Sequence, residues 1–136
     1  MDNLLLRATA AGSGKTFTIV VALVDTNVLV YRFDPGARAK QARAIEVLQQ
    51  GIAAQTLRIA YQSIVEFYAA VTKPLAGRRR PLLAPADARR ETEELLIEFP
   101  IIYPTETIAR TALRGMAAYQ LPWFDALMWA TAPCAW

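Results

Sequence analysis

The most apolar stretch of the chain, Thr18-Ile19-Val20-Val21-Ala22-Leu23-Val24, is β-branched and shows no polar alternation. That is the pattern of a strand buried on both faces, as in a parallel sheet. Asp25-Thr26-Asn27 punctuates its end. From Ala37 to Ala54 the residues are strong helix formers with no glycine before Gly51, so a helix is predicted there. Leu57 to Tyr61 reads as a second strand, and Ser63 opens a helix to about Thr72 that Pro74 stops. The stretch from Leu75 to Pro85, with Gly77, Pro81 and three consecutive arginines, is a loop.

A further helix is predicted over Ala86 to Glu98, then a short third strand between Pro100 and Pro104. Ile108, Ala112, Leu113 and Met116 are expected to line one face of the next helix. The last helix begins near Pro122 and ends about Ala132, ahead of Pro133. Alternating strands and helices in this order predict an α/β fold, a parallel central sheet covered by helices on both faces. Asn3 to Arg7 adds a possible short strand in a leader, residues 1–18, ahead of the domain at 19–136.

Composition narrows the chemistry. At 136 residues there is room for one core. With no histidine, serine–histidine triads, histidine metal triads and paired-histidine ribonuclease chemistry are excluded. A single cysteine, Cys134, excludes an intrachain disulfide and a cysteine-built zinc site. Catalysis is left to carboxylates, lysine, tyrosine or an oxygen-bound metal. No apolar run approaches the ~18 residues of a membrane span. Asp2 and the lack of a small-residue cleavage site argue against a signal peptide, so a cytoplasmic location is expected. The net charge of +3 gathers partly in Arg78-Arg79-Arg80, a cluster that can meet a phosphate backbone or simply face solvent.

Ligands in open α/β sheets bind beyond the carboxyl ends of the strands. Asp25 directly follows the first strand, Glu66 lies one turn into the helix after the second, and Asp125 lies in the first turn of the last helix. Carboxylates brought together from separate elements suit a hard cation such as Mg²⁺ or Mn²⁺. Each has an ordinary structural role to weigh against this. Asp25 can cap the following helix, Ser63 and Glu66 fit a capping box, and Asp125 suits a helix start.

Three segments together go further. Val24-Asp25-Thr26-Asn27-Val28-Leu29-Val30-Tyr31 resembles the opening of PIN-domain ribonucleases, particularly the VapC-like toxins of bacterial toxin–antitoxin pairs. Gln62-Ser63-Ile64-Val65-Glu66-Phe67-Tyr68 resembles that family's second motif, and Tyr119-Gln120-Leu121-Pro122-Trp123-Phe124-Asp125-Ala126-Leu127 its third. The resemblance implies a PIN-like three-layer α/β/α fold. It implies Asp25, Glu66 and Asp125 as catalytic metal ligands, with Asn27 and Ser63 supporting them. It also implies Mg²⁺ or Mn²⁺ as cofactor, RNA as substrate, an antitoxin as partner and a homodimer, with Ile64, Val65, Phe67 and Tyr68 as interface candidates. The arginines at 78, 79 and 80 would contact RNA. Tyr61, Tyr68, Tyr119, Trp123 and Phe124 fit core or subunit contacts better than base stacking.

Two departures accompany the resemblance. Complete family members continue into a further strand bearing a fourth acidic residue, which Ala132-Pro133-Cys134-Ala135-Trp136 does not supply. The expected sheet therefore lacks its last strand, and an unpaired edge and weakened activity are expected. At the other end, Thr9-Ala10-Ala11-Gly12-Ser13-Gly14-Lys15-Thr16 resembles a phosphate-binding P-loop. Gly14, Lys15 and Thr16 would carry nucleotide binding, but Thr9 stands where glycine is wanted and a β-branched run replaces the required helix. The leading expectation is a metal-dependent endoribonuclease, weighed against a catalytically impaired PIN-like binding module and a nucleotide-binding fragment.

Overall fold

A computed structural model of the chain describes residues 5–9, 20–74, 76, 77 and 79–132. Among the described residues four strands and six helices run in the order β1 (Leu5–Thr9), β2 (Val20–Val24), α1 (Thr26–Tyr31), α2 (Arg38–Ala54), β3 (Leu57–Ala60), α3 (Tyr61–Thr72), α4 (Pro85–Glu98), β4 (Ile101–Ile102), α5 (Glu106–Tyr119) and α6 (Trp123–Thr131). The sheet order is β1-β2-β3-β4. β2, β3 and β4 are parallel, with Ala22 opposite Leu57 and Ile59 opposite Ile101. The carboxyl ends of all three therefore open at one side.

β1 departs from the all-parallel expectation. It pairs antiparallel with β2, Leu5 opposite Val24 and Thr9 opposite Val20, so the leader strand extends the sheet. The side of β2 away from β3 is hydrogen-bonded along this register. The P-loop-like residues Gly14, Lys15 and Thr16 lie outside the described residues, as does Arg78.

Alternation along the strands builds two cores, because successive side chains point to opposite faces. Ala22 and Val24 of β2 and Leu57 and Ile59 of β3 pack with Val28 and Leu29 of α1, Leu48 of α2, Phe67 and Val71 of α3 and Leu95 of α4. On the other face, Val21 and Leu23 meet Ile102 and Met128, beside the cluster of Ile108, Ala112, Ala126 and Ala130 from α5 and α6. The outcome is three layers, α1–α4 on one side and α5–α6 on the other, as expected. Gly51 sets the distance between α2 and the sheet, since a Cβ there would overlap the Leu57 side chain.

The helix starts shape the functional end. α3 begins at Tyr61, two residues before Ser63, and its N-cap Ala60 gives no side-chain hydrogen bond. The capping box of Ser63 and Glu66 is thus not formed, and Glu66 is free to serve elsewhere. Between α5 and α6, Gln120 adopts a left-handed φ of 55° and turns the chain into Pro122. A non-glycine residue there costs roughly 1–2 kcal/mol. Leu113 differs from its expected place. At 100° per residue it sits roughly 140° around the helix from Ile108, and Gly115 joins Ile108 and Ala112 on the buried face instead.

Candidate active site

Asp25 ends the extended segment of β2 and caps α1, its Oδ1 accepting the backbone N–H of Asn27 at 3.0 Å. The local role anticipated for it is therefore real. It also leaves the side chain at the carboxyl end of the sheet, where it lines a hollow of about 560 Å³ together with Glu66 and Asp125. The three carboxylates come from α1's cap, the second turn of α3 and the first turn of α6, and the fold brings them to one cavity.

Glu66 is the most firmly held. The Thr26 hydroxyl donates to its Oε2 at 2.8 Å, and the Gln62 amide donates to its Oε1 at 2.7 Å. Hydrogen bonds to a charged acceptor are worth about 1.5–3 kcal/mol each, enough to fix one rotamer of a half-buried carboxylate. Both donors also line the hollow. Neither was singled out from sequence. Gln62 had a visible signal, since Gln and Glu four apart share a helix face, whereas Thr26 is 40 positions away in the chain. Asp125 is exposed at the start of α6, where a negative charge is favoured by the helix dipole.

The supporting residues are placed differently from expectation. Ser63 is fully buried, and its Oγ lies 4.0 Å from the sulfur of Met128 rather than against a carboxylate. It lies three positions before Glu66, and the hydroxyl faces Met128 of α6. It therefore steadies the cavity wall through Met128. Asn27 is exposed, and it is its backbone that touches Asp25. Arg79 and Arg80 line a separate shallow hollow with Pro35, Pro81 and Leu82. That loop is tied to the far end of α3 by the hydrogen bond from Leu83 N–H to Val71 O, and a helix of 12 residues spans about 18 Å.

Of the two roles expected for the aromatic residues, the structure excludes the core. Tyr61, Tyr68, Tyr119, Trp123 and Phe124 are all at least one-third exposed and belong to no core cluster. Of the four apolar interface candidates on α3, Ile64 and Phe67 are core residues, while Val65 and Tyr68 face outward. The second half of the hollow is apolar, formed by Leu121, Phe124, Met128 and Trp129.

The donor set fits a hard divalent cation in kind: three carboxylates, an amide and a hydroxyl, all oxygen-bearing. Among the described residues no lysine or arginine lines the hollow, so a phosphate entering beside those carboxylates is repelled unless a cation offsets their charge. Among the described residues, no three acidic side chains stand close enough to enclose an ion as they are arranged here. Asp125 is exposed and has room to change rotamer. Each Glu66 oxygen also keeps a second lone pair beyond the one it gives to Thr26 or Gln62.

Among the described residues, no helix is long and apolar enough to cross a membrane. Comparison with curated proteins finds no match. The PIN domain family matches residues 22–133, from the middle of β2 to just past α6, and so takes in all three carboxylates. PIN domains are generally nucleases that act on nucleic acid and generally use divalent metal ions. With more than four-fifths of its length matched and its sheet and helical layers in agreement, the chain belongs to the PIN domain family.

Proposed function

We propose that this protein is a metal-dependent endoribonuclease that hydrolyses RNA phosphodiester bonds, acting as the toxin of a toxin–antitoxin pair. The observation that carries the nuclease reading is the convergence of Asp25, Glu66 and Asp125 on one hollow that, among the described residues, has no basic side chain in its lining. Such a cavity suits a divalent cation, and through it a phosphate. The toxin assignment rests on the likeness of the segments around Asp25, Glu66 and Asp125 to VapC-like proteins. An antitoxin protein would be the partner.

Asp25, Glu66 and Asp125 would hold Mg²⁺ or Mn²⁺. When bound, the ion lowers the pKa of a water and offsets charge developing on the phosphate. Thr26 and Gln62 keep Glu66 in one orientation, which limits the reorganisation needed as substrate arrives. The cap contact of Asp25 does the same for its Oδ1. Water oxygen forms the new bond to phosphorus and the P–O3′ bond breaks, leaving a 5′-phosphate and a 3′-hydroxyl. Arg79 and Arg80 would guide RNA from a distance, and Val65 and Tyr68 would contribute to a homodimer.

A catalytically impaired binding module is a second reading, favoured by one observation: the acidic side chains are not drawn into a three-carboxylate group. Purified protein, stripped with EDTA and given a structured RNA, separates the two. The nuclease reading expects cutting only after Mn²⁺ or Mg²⁺ is restored. A folded sample that stays inactive across millimolar Mn²⁺ leaves the binding module.

A further inference from the structure

One half of the carboxylate-lined hollow has no part in holding an ion. Phe124 is 62% exposed although it precedes Asp125 on the first turn of α6, and among the described residues no aromatic ring stacks on it. Trp129 is held in place. Its ring packs over Gly115, where a Cβ would come within 2.6 Å of it, and meets Tyr119 edge-on at 5.4 Å. A fixed indole and a phenyl ring with an open face thus form a wall beside the carboxylates, completed by Leu121 and Met128.

We propose that this wall is a subsite for one unpaired nucleobase next to the phosphodiester held at the carboxylates. The inference rests on the nuclease reading and adds to it the residues that choose which nucleotides can be cut. A strand whose phosphate sits beside Asp25, Glu66 and Asp125 has the apolar wall within reach of a flanking base, because both walls bound the same 560 Å³ space. That wall presents π-faces and aliphatic or thioether surface. Stacking on such a surface is tolerant of base identity because every base has a π-face. A base locked in a duplex cannot enter without being flipped out, which costs a few kcal/mol. The subsite therefore selects unpaired positions with little base preference. A protein segment that inserts an apolar side chain is the competing occupant, and it would not couple Phe124 to any single base.

The test is binding of a fluorescently labelled 12-nucleotide RNA, read by anisotropy with Ca²⁺ present. Wild type, Phe124→Ala and Phe124→Tyr are compared on the intact strand, on its duplex and on a scan of single abasic positions. Phe124 is exposed, so truncation is expected to spare the fold, and a circular-dichroism melt checks this. Phe124→Ala is expected to weaken single-strand binding roughly 5- to 100-fold, the range of one base–aromatic stack. Phe124→Tyr should restore it, and the duplex should bind more weakly. One abasic position should cost wild type a similar factor and Phe124→Ala almost nothing further.

Unchanged affinity in Phe124→Ala, additive losses, an abasic scan flat at every position in wild type, or no RNA binding at all each overturn the subsite. Binding that follows this pattern without cleavage in Mn²⁺ upholds the subsite and sinks the nuclease reading. Cleavage with Phe124-independent binding does the reverse.

Discussion

Asp25→Asn is expected to lower the rate of metal-dependent RNA cleavage by at least about 100-fold, the equivalent of ~3 kcal/mol of barrier, while leaving the melting temperature close to wild type. The substitution separates the two roles of this residue. As an N-cap, asparagine is as good as aspartate, and its side-chain oxygen can still accept the Asn27 N–H. As a ligand it loses the negative charge that a hard cation requires. Asp25→Ala, by contrast, should cost both activity and about 0.5–2 kcal/mol of stability, because it removes the cap as well. Rates from a quenched RNA substrate, paired with melts, check both parts. An Asp25→Asn protein that cuts at a wild-type rate would confine this residue to capping α1.

Phe67→Ala is expected to be the most damaging of the core truncations, at about 3–5 kcal/mol. Phe67 is the largest fully buried side chain and stands tilted against Phe33 at 5.8 Å, at the centre of the cluster that joins α1, α3 and the sheet. Its loss would open a cavity directly behind Glu66, on the same turn of α3. Domains of this size are stable by only about 5–15 kcal/mol, so a large part of the total would go. Urea unfolding gives the number, and a change below 1 kcal/mol would mean that the core around Phe67 is not packed as described. Activity should fall with it, since Glu66 reaches Thr26 only while α3 holds its place against α1.

The elements most legible in the sequence were those whose pattern is local. The helix expected over Ala37 to Ala54 forms from Arg38, and the one expected from Ala86 forms from Pro85, because strong helix formers and prolines mark these ends directly. The three carboxylates were singled out by their places: Asp25 follows a strand, Glu66 lies within the helix after the next strand, and Asp125 stands in the first turn of the last helix.

What escaped depends on neighbours distant in the chain. The antiparallel register of β1 on β2 leaves no mark in a segment as short as Leu5–Thr9. Thr26 becomes a partner of Glu66 only when α1 and α3 pack side by side. The hydroxyl of Ser63 was expected beside the carboxylates, yet helix geometry turns it towards Met128. Phe124, expected in the core or at a subunit contact, is exposed, as is Trp129. Their exposure follows from α6 burying Ala126 and Ala130 instead, a choice of face that two aromatics in a short helix do not reveal.

The central claim is that carboxylates from three separate elements bind one divalent ion. Calorimetric titration of metal-free protein with Mn²⁺ tests it most directly, with Glu66→Gln and Asp125→Asn alongside wild type. One Mn²⁺ site in wild type, weakened at least tenfold by either substitution in proteins that melt normally, is the predicted result. Mn²⁺ binding that neither substitution changes, or none at all in folded wild type, would contradict it.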